Sequence, residues 1–225
     1  MQQPLKPFTL AAYSGVALPM AAMGMPIAVY LPRFYSEGLG LSLITVGLIF
    51  TLARVWDVVT DPAMGYLIDR FETRWGRRKH WIALAVPILV VSVYQVFIPS
   101  PEDVSGGYLL FWLIMLYVGY TMMAISHQSW GAELADSYDD RTRLFGWREI
   151  FVIGGMTIVL ALPALLESTG VDDQQSKVAS MGWFCILLFP LLALPTLAFV
   201  PDKRSSGHST LSIKAQITLL MSNRL

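Results

Sequence analysis

Apolar residues in this chain come in long blocks rather than in alternation with polar ones. Six stretches, 8–34, 43–68, 81–99, 108–130, 150–166 and 178–200, are hydrophobic nearly throughout. The hydrocarbon core of a bilayer is crossed by about 20 such residues in a helix, so the pattern predicts six transmembrane helices. Polar connectors separate them at 35–42, 69–80, 100–107, 131–149 and 167–177, and a polar tail follows from residue 201. No strand-like period of two competes with this reading. Helix breakers lie inside the spans: Pro19, Gly24 and Pro26 in the first, Pro87 in the third, Gly154, Gly155 and Pro163 in the fifth, Pro190 and Pro195 in the sixth. A membrane tolerates them where neighbouring helices or a wet cavity satisfy the freed carbonyls. Gly15, Gly24, Gly154 and Gly155 are expected to let helices approach closely.

Composition agrees. Of 225 residues, 55% are hydrophobic and only 14% charged, with a mean hydropathy of +0.55, more apolar surface than a soluble fold of this length hides. The 16 basic and 16 acidic residues cancel, so nothing points to nucleic acid as a partner. A single cysteine, Cys185, excludes a disulfide framework or a cysteine-rich metal site and reads as a small buried hydrophobe. The first apolar stretch is too long for a cleavable signal and reads as the first span.

The position of the charges is more informative than their sum. With the N-terminus on the cytoplasmic side, Lys6, Arg70, Arg74, Arg77, Arg78, Lys79, Arg141, Arg143, Arg148, Lys203, Arg204, Lys214 and Arg224 share that side. Only Arg33 and Lys177 face the other, and Arg54 lies within the second span. Positive residues are retained in the cytoplasm, so a multi-pass protein of the cell membrane with both ends cytoplasmic is expected.

The second span carries the chemistry. It reads Ala53-Arg54-Val55-Trp56-Asp57-Val58-Val59-Thr60-Asp61-Pro62-Ala63-Met64-Gly65. Spacings of three and four residues bring Arg54, Asp57 and Asp61 to one helical face with Thr60 beside them. Charges at that depth cost about 2.5–3.5 kcal/mol each even on the lenient insertion scale, and so mark an ion path, a cavity or an internal pair. Two carboxylates and a hydroxyl next to Pro62, which interrupts the helix's own bonding, suit Na⁺ or a proton relay. The other reading is a clamp between helices in which Arg54 neutralises the aspartates. In the fourth span, His127 could carry a coupling proton or be satisfied by a neighbouring helix. Glu133 and Asp136 at its end are gate contacts or solvated caps. His80, His127 and His208 lie on different elements, and no nucleophile–base or metal constellation argues for an enzyme.

The connector after the second span, Gly65-Tyr66-Leu67-Ile68-Asp69-Arg70 followed by Arg74-Trp75-Gly76-Arg77-Arg78-Lys79, resembles the loop between helices two and three of the major facilitator superfamily. There, acid and base lock and release the cytoplasmic gate. Asp139-Asp140-Arg141-Thr142-Arg143 resembles a second such junction. More narrowly, Arg-x-Trp-Asp-x-x-x-Asp-Pro-x-Met-Gly followed by Thr-Arg-Trp-Gly-Arg resembles the signature of the glycoside-pentoside-hexuronide:cation symporters, the melibiose permease family.

That resemblance implies an all-α membrane fold, with six helices forming the first half of a twelve-helix transporter. It implies symport of a sugar-like or other organic solute with Na⁺ or H⁺ and no organic cofactor. Asp57 and Asp61 fall on the cation ligands, holding Na⁺ if the coupling is to sodium, and Thr60 falls where the permease has an asparagine. Trp130 and Arg148 match sugar-contacting positions, with Ser126, His127 and Gln128 beside them. Gly65, Asp69, Arg70, Arg77, Arg78, Asp140 and Arg141, together with Arg54, are the expected gating set. Two sugar-gripping aspartates of the family align with Ala21 and Ser126, which argues against a galactoside and leaves a less polar solute or a lysolipid in play. Residues 1–200 are then the six-helix bundle and 201–225 a cytoplasmic linker, with Ser212 to Met221 amphipathic and Ser222-Asn223-Arg224-Leu225 opening helix seven. The expected partners are the bilayer, a small solute and a second six-helix half. A non-transporting scaffold or sensor on the same fold is the alternative.

Overall fold

A computed structural model describes residues 5–202 apart from 72, 75 and 136. Residues 203–225 of the proposed linker and start of helix seven, His208 among them, lie outside the described residues, as do Trp75 and Asp136. The chain forms α1 (Pro7–Ser14), α2 (Ala17–Arg33), a π-helical turn (Phe34–Gly38), α3 (Leu43–Arg70), α4 (Lys79–Phe97), a short 3₁₀ turn (Pro101–Asp103), α5 (Gly106–Leu134), α6 (Tyr138–Ser168) and α7 (Gln174–Phe199). Six helical segments, α1 and α2 counting as one with the turn after them, are long and apolar enough to cross a membrane. Among the described residues there is no strand, only an isolated bridge between Thr73 and Gly76.

Four helices begin at side-chain caps: Ser42 accepts from the Thr45 N–H, Ser105 from Tyr108, Ser137 from Asp140 and Asp173 from Ser176. Each satisfies one of the amides that a helix start leaves unbonded. The Ser137 cap explains a correction. Residues 131–149 were expected to be a connector, yet α5 runs to Leu134 and α6 starts at Tyr138. Asp139, Asp140, Arg141, Arg143, Arg148 and Glu149 lower the hydropathy of that stretch without lowering its helicity, and the two aspartates sit favourably at the positive end of the helix.

The first span is broken, unlike the other five. Its backbone ladder ends with the Gly15 N–H on Ala11 and restarts with the Leu18 N–H on Gly15. Pro19 accounts for the position: its ring crowds the carbonyl four residues back, on Gly15, and it has no N–H to return. The freed carbonyls are satisfied from neighbouring helices, Ala12 by the Thr196 hydroxyl at 2.5 Å and Tyr13 by His127 Nε2 at 2.8 Å. The other prolines expected to disturb spans do not stop them. Pro26, Pro62, Pro87, Pro163, Pro190 and Pro195 all lie within continuous helices.

Packing places α2 against α6 and α7, α4 against α5 and α7, and α3 against α5. Gly155 allows α6 to meet the α2 backbone: a Cβ there would lie 2.2 Å from the Leu18 carbonyl oxygen. Gly15 makes only ordinary contact with Leu192, and a Cβ on Gly24 or Gly154 would have no neighbour within 4 Å. Of the four glycines expected at tight helix crossings, Gly155 alone is at one. The most apolar stretches of α3 and α6 are only 22% and 17% buried, so these helices turn most of their hydrophobic surface outward.

Candidate cation and solute site

Asp57 and Asp61 stand one turn apart on α3 and meet the hydroxyl of Thr121 on α5. Thr121 Oγ1 lies 2.9 Å from Asp57 Oδ1 and 2.8 Å from Asp61 Oδ1. A threonine hydroxyl has one hydrogen, and ionised carboxylates only accept. Thr121 can therefore donate to one aspartate at a time, and the other oxygen contact needs a proton or a cation. Arg54 supplies one positive charge, with Nη1 3.0 Å from Asp57 Oδ2. Two carboxylates and one guanidinium leave the site one positive charge short. Among the described residues no group of three or more His, Cys, Asp or Glu side chains is arranged to hold a metal ion. Two carboxylates and a hydroxyl are hard oxygen donors that match a monovalent cation.

The Arg54 side chain is 65% exposed whereas the Asp57 side chain is only 8% exposed. The pair thus joins a largely uncovered guanidinium to a buried carboxylate. Arg54 also lies over the Tyr117 ring, 5.8 Å from its centroid. Thr60 does not face the carboxylates with its oxygen. Its hydroxyl donates back along α3 to the carbonyls of Trp56 and Asp57, and Thr121 is the hydroxyl within hydrogen-bond reach of both carboxylates. No sequence signal marks Thr121, since a lone hydroxyl in an apolar span carries no information about which helix it faces.

Arg54 opens onto a cleft of about 680 Å³ between α2, α3 and α5. Met23, Gly24 and Ile27 line one wall, Phe50 and Thr51 another, and Tyr117 and Tyr120 the third. Arg54 is the one charged residue among those lining it in the described chain.

The basic end of the bundle holds a second cluster. Arg78, only 4% exposed, places Nη2 2.9 Å from Asp69 and 2.8 Å from Glu133, while Arg77 pairs with the same Asp69 at 3.2 Å. This network ties the end of α3 to the end of α5. Arg70 stays apart from it, bonded to Tyr66 on its own helix. Asp140 accepts from Ser137 and from the Leu5 N–H, Arg141 is exposed on the first turn of α6, and a Cβ on Gly65 would have no neighbour within 4 Å.

The expected solute contacts are scattered. Trp130 is buried at the basic end, its Nε1 donating to the Pro201 carbonyl at 3.2 Å with the Lys79 ammonium 5.6 Å from its ring. His127 is enclosed by Tyr13, Ser126 is buried and Gln128 exposed. Arg148 pairs with Glu149 at 2.6 Å, leaving its buried Nε without a partner among the described residues. None of the five lines the cleft beside Arg54. Outside the spans, accepted hydrogen bonds from Ser176 hold the Asp173 carboxyl below its ordinary range.

A family model described as MFS/sugar transport protein matches residues 12–225. The chain is 29% identical to the isoprimeverose transporter of Lactiplantibacillus pentosus over 77% of its own length and 36% of the relative's. It is 28% identical to the inner membrane symporter YicJ of Escherichia coli over 77% and 37%. It is 27% identical to the sodium-dependent lysophosphatidylcholine symporter 1 of Gallus gallus over 53% and 22%. The chain thus spans between about a fifth and two fifths of the length of these curated relatives.

Proposed function

The chain belongs to the MFS/sugar transport protein family, and on that premise we propose that it is the first half of a cation-coupled solute symporter. The observation that carries this is the single Thr121 hydroxyl shared by Asp57 and Asp61, a site that lacks one positive charge. Na⁺ or H⁺ supplies it. Asp57, Asp61 and Thr121 hold the ion, and its arrival weakens the hold of Arg54 on Asp57. The guanidinium is then free to meet a solute in the cleft that it lines. Each ligand thereby raises the affinity for the other by the same factor, as linkage requires.

The solute is a small organic molecule with a polar or anionic group for Arg54 and a flat or apolar part for Tyr117, Tyr120 and Met23. Arg54 beside an apolar lining also suits an amphiphile, with its charged head on the guanidinium and its hydrocarbon on the apolar wall, which keeps a lysolipid as the second reading. A second six-helix half completes the path, residues 201–225 lead to it, and access alternates as one half rocks against the other. The Lys and Arg distribution supports a cytoplasmic N-terminus. The Asp69, Arg77, Arg78 and Glu133 network then lies on the cytoplasmic side, where its opening and closing would gate that face.

The test is calorimetric titration of the purified full-length protein with Na⁺ at fixed pH, with Li⁺ and K⁺ for comparison and proton release followed in parallel. One saturable cation, or one released proton, is expected for the parent, and neither for Asp57→Asn or Asp61→Asn. Folded variants that keep parental binding would reject the site.

A further inference from the structure

The break in the first span is enclosed by groups the transport reading does not use. His127 on α5 donates from Nε2 to the Tyr13 carbonyl at 2.8 Å, and the Tyr13 hydroxyl returns a bond to the His127 carbonyl at 2.7 Å. The two rings stack with centroids 4.1 Å apart and planes 12° from parallel. Gly131, one turn past His127, makes room: a Cβ there would lie 2.1 Å from the Tyr13 hydroxyl oxygen. From the other side, the Thr196 hydroxyl on α7 reaches the Ala12 carbonyl while sharing its hydrogen with Leu192 on its own helix. Tyr13, His127 and Thr196 are all buried.

These contacts fall on the carbonyls that an unbroken helix would bond internally. Immediately beyond the break, α2 runs into the cleft wall through Met23, Gly24 and Ile27. A break in the ladder held by bonds from neighbouring helices has one geometry, and a break without them is a hinge. We infer that His127 and Thr196 are positioning residues: by bonding the Tyr13 and Ala12 carbonyls they fix the angle of the broken first helix and so set where the α2 wall of the cleft stands. His127 has the dominant share, because it bonds in both directions and stacks, while the Thr196 hydrogen is divided. The Nε2 that His127 could offer a solute is committed to this role.

The test uses the full-length protein in detergent or nanodiscs with spin labels at Gly24→Cys and Thr51→Cys, on opposite walls of the cleft, read by double electron–electron resonance. Cys185 is buried and is replaced by Ala in all variants. His127→Leu is expected to broaden the inter-label distance distribution about twofold or shift its peak, as a freed hinge does. His127→Gln, which keeps a side-chain N–H donor, should restore most of the parental distribution, and Thr196→Val should give a smaller change than His127→Leu. Ser92→Ala, which removes a buried hydroxyl on α4, serves as the packing control and should leave the distribution unchanged. Parental distributions in both His127→Leu and Thr196→Val, in protein with a normal elution profile, would overturn the assignment. If His127→Leu does not fold, the His127→Gln and Thr196→Val pair decides: a parental distribution in Thr196→Val rejects the role. The distances are read without added Na⁺, and cation binding is titrated separately, so failure here and failure of the symport reading are separate results.

Discussion

Thr121 on α5 places its hydroxyl 2.9 Å from the Asp57 carboxylate on α3, two positions 64 residues apart in sequence. That contact closes the candidate cation site. It also predicts a hierarchy among hydroxyls. Hydrogen bonds to charged groups contribute about 1.5–3 kcal/mol, so Thr121→Val should weaken cation binding by about ten- to a hundredfold. Thr121→Ser should stay close to the parent. Thr60→Val, which removes a hydroxyl bonded to its own helix, should change the titration little. Equal losses for Thr60→Val and Thr121→Val would reverse the assignment.

On the proposed reading, Arg54 and the cation compete for Asp57. The guanidinium holds Asp57 Oδ2 at 3.0 Å, so Arg54→Gln should tighten Na⁺ binding in the same titration, while uncoupling it from any solute that the parent binds. Weaker cation binding in Arg54→Gln would mean that the arginine organises the site rather than competing for it.

Adjacent glycines on α6 should respond oppositely to a methyl group. Gly155→Ala forces its Cβ against the Leu18 carbonyl oxygen and should lower the thermal midpoint of the full-length protein, at a cost of about 1–3 kcal/mol for overpacking. Gly154→Ala meets open space and should be neutral or gain about 1 kcal/mol from helix propensity. A thermal melt of the two single variants separates them.

Acid should loosen the start of α7. The Asp173 carboxyl sits below its ordinary value of 3.8 because Ser176 bonds its charged form. A depressed folded value means that the cap's contribution is complete above about pH 4 and is lost as pH falls through the folded value. Hydrogen exchange at residues 174–177 should accelerate across that window once corrected for intrinsic rates. Asp173→Asn, which still accepts a bond but does not titrate, should remove the acid dependence. An unchanged acid dependence in that variant would assign it to another group.

Number and order of the spans were legible in the sequence, because burying apolar residues in lipid requires long uninterrupted runs. The spacing of Arg54, Asp57 and Asp61 was legible too, since residues three and four apart share a helix face whatever surrounds them. The α6 boundary was not: hydropathy reports where lipid begins, and helicity continues past it when a cap such as Ser137 starts it early.

Tertiary structure decided what crosses between helices. Thr121 rather than Thr60 completes the carboxylate pair, because the rotation of α5 against α3 depends on packing all along both helices. Likewise Pro19 is visible in the first span, but only the packing decides that this span breaks where those holding Pro62, Pro87, Pro163, Pro190 and Pro195 run on, and that His127 and Thr196 take up the freed carbonyls. The sequence by itself determined the elements and the face each charge occupies, through local periodicity and the cost of burying charge. Which side chains meet was left to the fold, because a contact between distant residues depends on the mutual register of whole helices.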